Sequence, residues 1–260
     1  MILRTGSLFT GIGGLDLGVE LSGIARVVWQ VEIDDFCRRV LAKHWPRVTR
    51  YDDVTRPRNY APVDLIIGGF PCQDLSSAGE QRGLGGERSS LWWYFAEIIR
   101  KLRPAFVLVE NVASGAGRWL HHVRHTLHLL GYRTRAYALS AADVGAPHLR
   151  RRVFVVADSD ARLGGEGDAV LEADAQAGSV CDPREAERDA AHWQNADRDR
   201  RRVDDGLPRG LDERVRLEGL GNAVVPHCGW AMGNVIADMV KAKLRDVRRP
   251  ETDLPEEKKQ

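Results

Sequence analysis

The cysteine in the stretch GGFPCQDLSS, Cys72, stands where the sequence could support nucleophilic chemistry. The apolar run from Leu65 to Ile67 is typical of a buried strand, and the polar, glycine-rich sequence after Cys72 is typical of a loop. A free cysteine is most often a small buried hydrophobe, and that alternative stays open here. However, Pro71 fixes the neighbouring backbone, and open α/β sheets bind ligands at the carboxyl ends of their strands. Cys72 is therefore a candidate nucleophile that faces a cleft.

A carboxylate follows a second predicted strand, because Glu110 comes directly after the apolar residues of AFVLVENV. On a parallel sheet its side chain would emerge at the same edge as Cys72, which places a thiol and a proton donor in one cleft. The alternative for Glu110 is an ordinary strand-end charge. A third segment, GAPHLRRRVFVV, brings Arg150 and Arg152 to the start of a strand, where alternation directs both side chains to one side.

Small residues follow the first predicted strand, in FTGIGGLDLG, and would let a ligand approach the backbone at the start of a helix. The dinucleotide-binding pattern G-x-G-x-x-G is not met, because Asp16 occupies the position of the last glycine. Glu32 at the end of the second strand is placed to bind ribose hydroxyls, and Asp53 after the third is placed to reach a base or another part of a cofactor. Each acid could also be a solvated loop charge.

The elements that must position these residues alternate between strand and helix through the first 157 residues. Strands are predicted in ILRTGSLFTG, ARVVWQVEID, DLIIGGF, AFVLVENV and RVFVVAD, and helices in GLDLGVELSG, DDFCRRVLAKHW and SLWWYFAEIIRKLR. We expect Ser89 or Ser90 to cap the last of these helices and Pro104 to stop it. The alternation predicts a mainly parallel sheet covered by helices on both faces.

The pattern fails at about Asp158. The segment from Asp158 to Asp197 contains 11 acidic and 3 basic residues with little periodicity, and the basic run RDRRR follows it. We predict a loop-rich or partly disordered region here. Order is expected to return near Arg214, with a helix that begins at Pro226 and runs through Met239.

Composition limits the class of protein. With 260 residues, 43% apolar and 29% charged, the chain fits one large domain or one domain with a small lobe. No apolar run reaches the ~18 residues of a membrane span and no signal peptide is evident, so we expect a cytoplasmic protein. The 4 cysteines are widely scattered, which indicates reduced thiols and no zinc site. The 38 basic residues are mostly arginine, which suits phosphate and base-edge contacts but also fits a compositional bias.

Taken in order, the motifs resemble those of the bacterial and phage DNA cytosine-5 methyltransferase family. They are F-x-G-x-G-G, a strand-end Glu, D-V, G-F-P-C-Q, E-N-V, an R-x-R strand and G-N-A-V-V-P. The resemblance covers Met1 to Ala157 and about Arg214 to Leu244. It implies a class I methyltransferase fold, a Rossmann-like α/β sheet, with a separate target recognition region. The Pro-Cys placement is similar to that of the DNA enzymes; RNA cytosine-5 methyltransferases generally use a cysteine on the strand equivalent to E-N-V.

The activity that the resemblance implies is methyl transfer from S-adenosylmethionine to C5 of a flipped-out cytosine in double-stranded DNA. In that reaction the thiolate of Cys72 adds to C6 of the base. Glu110 bonds N3 and the exocyclic amine, while Arg150 and Arg152 hold the base and order Glu110. A restriction-modification or phage enzyme that acts as a monomer, without a metal, is expected.

The resemblance also implies binding residues. The cofactor contacts are Phe9, Gly11, Gly13, Gly14, Glu32, Asp53, Val54, Leu91 and Asn222. The mobile loop after the cysteine and the basic run supply the expected DNA contacts, which are Gln73, Ser76, Gln81, Arg82, Arg198, Arg200, Arg201 and Arg202. The chain departs from the family at His148, where a glutamine is usual, in the unrecognisable stretch before G-N-A-V-V-P, and in a short, acidic recognition region.

We therefore predict a catalytic and cofactor-binding domain over residues 1–157 and a short, loop-rich target recognition region over 158–213. A C-terminal segment over 214–245 carries a helix back to the catalytic domain, and 246–260 form a solvated tail. Three alternatives remain: a catalytically silent DNA-binding relative, a methyltransferase that needs a partner for target recognition, and a nicotinamide-dependent oxidoreductase. The missing last glycine disfavours the oxidoreductase, and binding of S-adenosylmethionine against NAD would separate it from the others.

Overall fold

The computed structural model describes residues 1–56, 58–71, 90–114, 116–146, 149–159, 170–172 and 223–247. The strands are β1 Leu3–Leu8, β2 Ala25–Val31, β3 Thr49–Tyr51, β4 Leu65–Gly68, β5 Phe106–Val112, β6 Arg133–Ser140, β7 Arg151–Asp158 and β8 Val170–Glu172. The helices are α1 Gly14–Leu21, α2 Asp35–His44, α3 Ser90–Leu102, α4 Ala116–Leu129 and α5 Pro226–Val247, with a 3₁₀ turn at Ala141–Val144. None of the helices in these ranges is long and apolar enough to cross a membrane.

The strands form one mixed sheet in the order β3-β2-β1-β4-β5-β7-β6-β8. Strands β1 to β5 pair with one another in parallel, as the alternation of strands and helices predicts. β7 instead runs antiparallel to both β5 and β6. The described residues between β6 and β7 contain a 3₁₀ turn and no crossover helix, and a link without a crossover helix favours antiparallel pairing. The α/β sheet predicted from the sequence is thus confirmed.

Side chains that alternate along the central strands fill two apolar layers, one on each face of the sheet. Ile66 of β4 packs in the layer that contains residues of α3 and α4, among them Phe95 and Trp119. Leu65 and Ile67 point to the other layer, which contains residues of α1 and α5. Strand β4 is buried along its whole length, which explains why its sequence is a continuous apolar run.

The C-terminal helix α5 packs closely on α1 through small residues. A Cβ atom at Gly18 of α1 would lie 2.6 Å from the Cα atom of Gly229 and 2.2 Å from the carbonyl oxygen of Pro226. The helix extends past the predicted Met239 to Val247. Near its end, the Nζ atom of Lys243 lies 3.2 Å from the Oδ1 atom of Asp158, which ties α5 to the end of β7.

The structure bears on the predictions for the loop-rich region and for the cysteines. The region 158–213, predicted to be loop-rich, contributes the three-residue strand β8, which pairs in parallel with β6 and extends the sheet beyond residue 157. Cys37 and Cys228 are buried and free, so the prediction of reduced thiols is confirmed for these two. Cys72 and Cys181 lie outside the described residues.

A buried acid lies beneath the turn that joins β1 to α1. Asp16 is completely buried, and its carboxyl accepts hydrogen bonds from Ser7 Oγ at 2.6 Å and from Gln30 Nε2 at 2.8 Å. Burial raises the pKa of Asp16 to about 7, because loss of solvation outweighs the lowering by these two hydrogen bonds. The nearby Glu20 also raises this pKa. Asp16 thus gains or loses its proton near neutral pH.

We predict that the protein loses stability as pH rises towards neutral and that Asp16→Asn does not show this loss. Since the pKa is about 7 in the folded chain and 3.8 ordinarily, the stabilisation by the neutral acid is complete below about pH 4. It declines as pH rises and is lost above the folded pKa of about 7. Over this pH range, the free energy of unfolding should fall relative to that of the asparagine variant by on the order of 4 kcal/mol, at about 1.4 kcal/mol per pKa unit.

Urea unfolding of both proteins at several values between pH 4 and 8 measures this difference. The control is Asp238→Asn, which removes an exposed carboxylate of α5 and should keep the pH slope of the unsubstituted protein. Identical slopes for all three proteins would show that Asp16 does not titrate in this range.

Candidate active site

The antiparallel pairing of β7 with β5 brings a carboxylate and a guanidinium to the same edge of the sheet. Val112 at the end of β5 pairs with Arg152, while Glu110 pairs with Phe154. The Nε atom of Arg152 lies 2.8 Å from the Oε1 atom of Glu110, and these side chains are 17% and 10% exposed. The sequence predicts Glu110 at a strand end and both arginines on one side of a strand, but not that these two strand ends meet.

Opposing effects act on the proton of Glu110. Burial raises the pKa of its carboxyl above the ordinary value of 4.5, whereas the positive charges of Arg152 and Arg150 and the hydrogen bond from Arg152 lower it. Burial is the largest of these effects. The arrangement therefore favours a carboxyl that can hold a proton at higher pH than a solvated glutamate while Arg152 fixes its orientation.

Arg150 carries hydrogen-bond donors that the described residues leave unused. Its Nε and Nη2 atoms are buried and have no hydrogen-bond partner within the part of the chain that the structure describes. Burial also lowers the pKa of Arg150. A buried donor without an acceptor is costly, so this side chain is suited to an acceptor that a ligand brings.

The chain that leads to Cys72 is fixed against β5. The Nδ2 atom of Asn111 donates to the carbonyl oxygen of Phe70 at 2.9 Å, and the ring of Phe70 packs on Trp92 with ring centroids 5.4 Å apart. A Cβ atom at Gly69 would lie 2.5 Å from the Oε2 atom of Glu110. The sequence analysis predicts no role for Asn111 or Gly69, although their positions beside Glu110 and before Pro71 could have indicated one.

The first turn has a strained backbone and an acid that binds it. Phe9 has φ 54°, which is unusual for a residue with a side chain, and Gly11 and Gly13 have φ 59° and 90°. The Oε2 atom of Glu32 accepts from the Gly11 backbone N–H at 2.7 Å, and its Oε1 atom accepts from that of Asp34 at 2.8 Å. Burial raises the pKa of Glu32, so these bonds hold a poorly solvated carboxylate.

The other predicted cofactor contacts lie along the same edge. The strand order places the carboxyl ends of β3, β2, β1 and β4 side by side. Asp53, after β3, accepts from the hydroxyl and backbone N–H of Thr55, and these bonds lower its pKa. Val54 is buried in the apolar layer against which Phe9 and Leu91 also pack. The structure thus brings this group together without showing what it binds.

A cavity of about 880 Å³ connects the first turn with the arginines at and just before the start of β7. Gly13, Gly14, Arg150, Arg152 and Val224 are among the residues that line it. A Cβ atom at Gly14 would lie 2.0 Å from the carbonyl oxygen of Val224, so the segment that precedes α5 presses on the start of α1. The motif G-N-A-V-V-P therefore ends beside the first turn.

Several residues predicted from the sequence lie outside the described residues. They are Cys72, Gln73, Ser76, Gln81, Arg82, His148, Arg198, Arg200, Arg201, Arg202 and Asn222. Of the predicted catalytic residues, the structure describes Glu110, Arg150 and Arg152.

The chain is similar to type II methyltransferases over about 60% of its length. It is 36% identical over 163 residues to the type II methyltransferase M2.BsuMI of Bacillus subtilis (strain 168), covering 60% of this chain and 42% of that protein. It is 32% identical over 163 residues to the type II methyltransferase M.HhaI of Haemophilus parahaemolyticus, covering 59% of this chain and 48% of the relative. The chain thus spans less than half the length of these two curated relatives.

A solved structure supports the fold alone. The crystal structure of a DNMT2 mutant from Spodoptera frugiperda matches with a TM-score of 0.53 and 20% sequence identity, over 65% of this chain and 54% of that one.

The family model described as C-5 cytosine-specific DNA methylase matches residues 3–165, which is more than half of the sequence. The protein therefore belongs to the C-5 cytosine-specific DNA methylase family, which its motif order predicts.

Proposed function

We propose that the protein transfers a methyl group from S-adenosylmethionine to C5 of cytosine in double-stranded DNA. The observation that carries this proposal is the contact of Glu110 with Arg152 at 2.8 Å, beside the chain that leads to Cys72. A buried carboxyl with a raised pKa, held by a guanidinium, is suited to donate a proton to a ring nitrogen. Membership of the family supports the same reaction.

The residues of the first turn fit the cofactor. A Cβ atom at Gly11 would meet nothing within 4 Å, so a ligand can approach this backbone. Glu32 uses its two oxygens for backbone N–H groups, and each oxygen keeps lone-pair capacity to accept a ribose hydroxyl. Phe9, Asp53, Val54, Leu91 and Asn222 complete the proposed contacts. When bound, S-adenosylmethionine supplies the methyl group that the activated base accepts.

The protein's own groups activate the base. Cytosine C5 is a weak nucleophile, and addition of the Cys72 thiolate to C6 forms a carbon–sulfur bond that makes C5 electron-rich. Glu110 donates its proton to N3 as charge builds on the ring, and Arg152 keeps the carboxyl in place. Arg150 directs its unused donors to the carbonyl oxygen of the base. After methylation the C5 proton leaves to water, and the electrons of that bond form the C5–C6 double bond as the C6–sulfur bond breaks. The thiolate is returned, and N3 gives its proton back to Glu110.

The ring atoms that react are inaccessible inside a duplex, so we infer that the target base is flipped out of the stack. Contacts to the DNA are proposed for the glycine-rich loop and the basic run. These residues are Gln73, Ser76, Gln81, Arg82, Arg198, Arg200, Arg201 and Arg202. The alternatives that remain are a silent relative that binds DNA and an enzyme that needs a partner for target recognition.

We predict that Cys72→Ser abolishes methylation but binds S-adenosylmethionine with nearly unchanged affinity, because a hydroxyl keeps the size of the thiol and not its nucleophilicity. On duplex DNA that contains 5-fluorocytosine, where C5 cannot lose its substituent, the unsubstituted protein should form a covalent complex that resists denaturation. Cys37→Ala, which changes a buried cysteine of α2, should form the complex normally. Methylation by the serine variant at the original rate would refute the mechanism.

We predict that Gly69→Ala lowers turnover roughly 10²-fold, the cost expected when a catalytic group is displaced by about 1 Å. The added methyl group would lie 2.5 Å from the Oε2 atom of Glu110, so the carboxyl must move. Binding of S-adenosylmethionine, which Glu110 does not contact in the proposed mechanism, should change little.

The control is Gly117→Ala in α4, where a Cβ atom would meet nothing within 4 Å. It should keep full turnover and gain about 0.5–1 kcal/mol of stability. Thermal unfolding of both variants shows whether each is folded. Full turnover by folded Gly69→Ala would mean that the position of Glu110 does not limit the reaction.

We predict a short or relaxed target site of about two to four base pairs, because little of the chain is suited to major-groove readout. The segment from Asp158 to Asp197, with 11 acidic and 3 basic residues, would repel phosphates. Activity should therefore fall steeply as salt rises. Bisulfite sequencing of DNA from cells that express the protein alone gives the site. A strict six-base-pair site would contradict the prediction, and absence of methylation would favour a partner or the silent relative.

A further inference from the structure

Asp16 is a buried acid that the proposed reaction does not use. It lies in the first turn of α1, at the position where dinucleotide-binding turns carry a glycine that lets the helix pack closely on the strand. Here the carboxyl fills that space and bonds to both neighbouring strands. Ser7 of β1 donates to its Oδ1 atom and Gln30 of β2 donates to its Oδ2 atom. All three side chains are buried, so this contact is not exchanged with water.

The hydrogen bonds continue from Asp16 into the turn. The hydroxyl oxygen of Thr10 lies 3.1 Å from that of Ser7 and 3.2 Å from the carbonyl oxygen of Val31. The backbone N–H of Thr10 also donates to Val31, at 3.2 Å. Because Ser7 uses its proton on Asp16, its oxygen is free to accept from Thr10. Asp16 therefore orients Ser7, and Ser7 orients the residue that follows Phe9.

The turn needs such support because its backbone is strained. Phe9 adopts a left-handed conformation that a residue with a side chain keeps only when its surroundings enforce it. Backbone hydrogen bonds join Thr10 to Val31 and Gly13 to Thr10. Two sets of side-chain contacts add to them: the bond from Gly11 to Glu32, and the chain from Thr10 through Ser7 to Asp16. Glu32 is also the proposed ribose ligand. The Asp16 contacts are thus the set that does not face the cofactor.

We propose that Asp16 is a positioning residue for the cofactor: held between Ser7 and Gln30, it keeps the turn from Phe9 to Gly13 in the form that binds S-adenosylmethionine. This inference rests on the proposed function. Loss of the contacts should weaken cofactor binding and leave the chemical step intact, because Asp16 contacts neither the base nor Glu110 in the proposed mechanism.

An amide at this position should preserve the contacts of the acid. The Oε1 atom of Gln30 is buried without a hydrogen-bond partner among the described residues. If the Gln30 amide turns over, a neutral donor at position 16 can bond to that oxygen while its own oxygen still accepts from Ser7. Asparagine provides this donor and acceptor, whereas leucine has similar size and provides neither.

The test compares Asp16→Asn, Asp16→Leu and Ser7→Ala in the full chain. Calorimetry gives the Kd and the stoichiometry for S-adenosylmethionine, and initial rates on DNA give KM for the cofactor and kcat. We expect Asp16→Leu to raise Kd and KM about tenfold or more, with kcat at saturating cofactor within about twofold. Asp16→Asn should stay within about threefold of the original Kd, and Ser7→Ala should lie between them.

A purely structural role gives a different pattern. It would lower the stoichiometry, which reports the folded fraction, and leave the Kd of the folded molecules unchanged. An unchanged Kd in folded Asp16→Leu would overturn the inference, as would an asparagine variant as weak as leucine. If Asp16→Leu does not fold, an unchanged Kd in Ser7→Ala overturns it. Failure of the unsubstituted protein to bind S-adenosylmethionine would overturn the proposed function and this inference together.

Discussion

The contact between Glu110 and Arg152 is the interaction on which the arrangement of the site depends. A buried ion pair adds little net stability, because the charges lose solvation; what it adds here is a fixed orientation of the carboxyl. Three features of the chain allow it. β7 runs antiparallel and so starts at the carboxyl end of β5, Gly69 leaves room beside the Oε2 atom of Glu110, and Asn111 holds the backbone of Phe70.

The C-terminal helix completes the other side of the cleft. Its packing on α1 requires glycines at the contact, and it brings the carbonyl oxygen of Val224 against Gly14. The cavity beside these residues also contacts Arg150 and Arg152. One cavity therefore borders both the first turn and the arginines near the start of β7, although more than 130 residues separate them in the sequence. A segment distant in sequence thus supports the binding turn through backbone contact.

The sequence predicts the parts of this fold in which one physical signal dominates. Buried strands such as β4 and β5 are apolar runs, and α3 has a clear apolar face, so pattern alone identifies them. Helix α4 was not predicted, although its buried residues Trp119, Val123 and Leu127 follow helical spacing. The common edge of Glu110 and Arg152 does not follow from the predicted parallel sheet, where the start of one strand lies opposite the end of its neighbour; it requires the antiparallel direction of β7. The roles of Asn111 and Gly69 do not follow from the sequence either, because each depends on a contact with a segment about 40 residues away in the sequence.

The two buried acids of this edge differ in what stabilises their charge. Both lose solvation, which raises both pKa values. Glu110 faces two guanidinium groups that favour its ionised form and oppose the effect of burial, which suits a group that gives up and regains a proton. The contacts that lower the pKa of Asp16 are hydrogen bonds from uncharged groups. These bonds fix the Asp16 carboxyl between two strands, so the same kind of burial accompanies the proposed proton transfer at Glu110 and a rigid turn at Asp16.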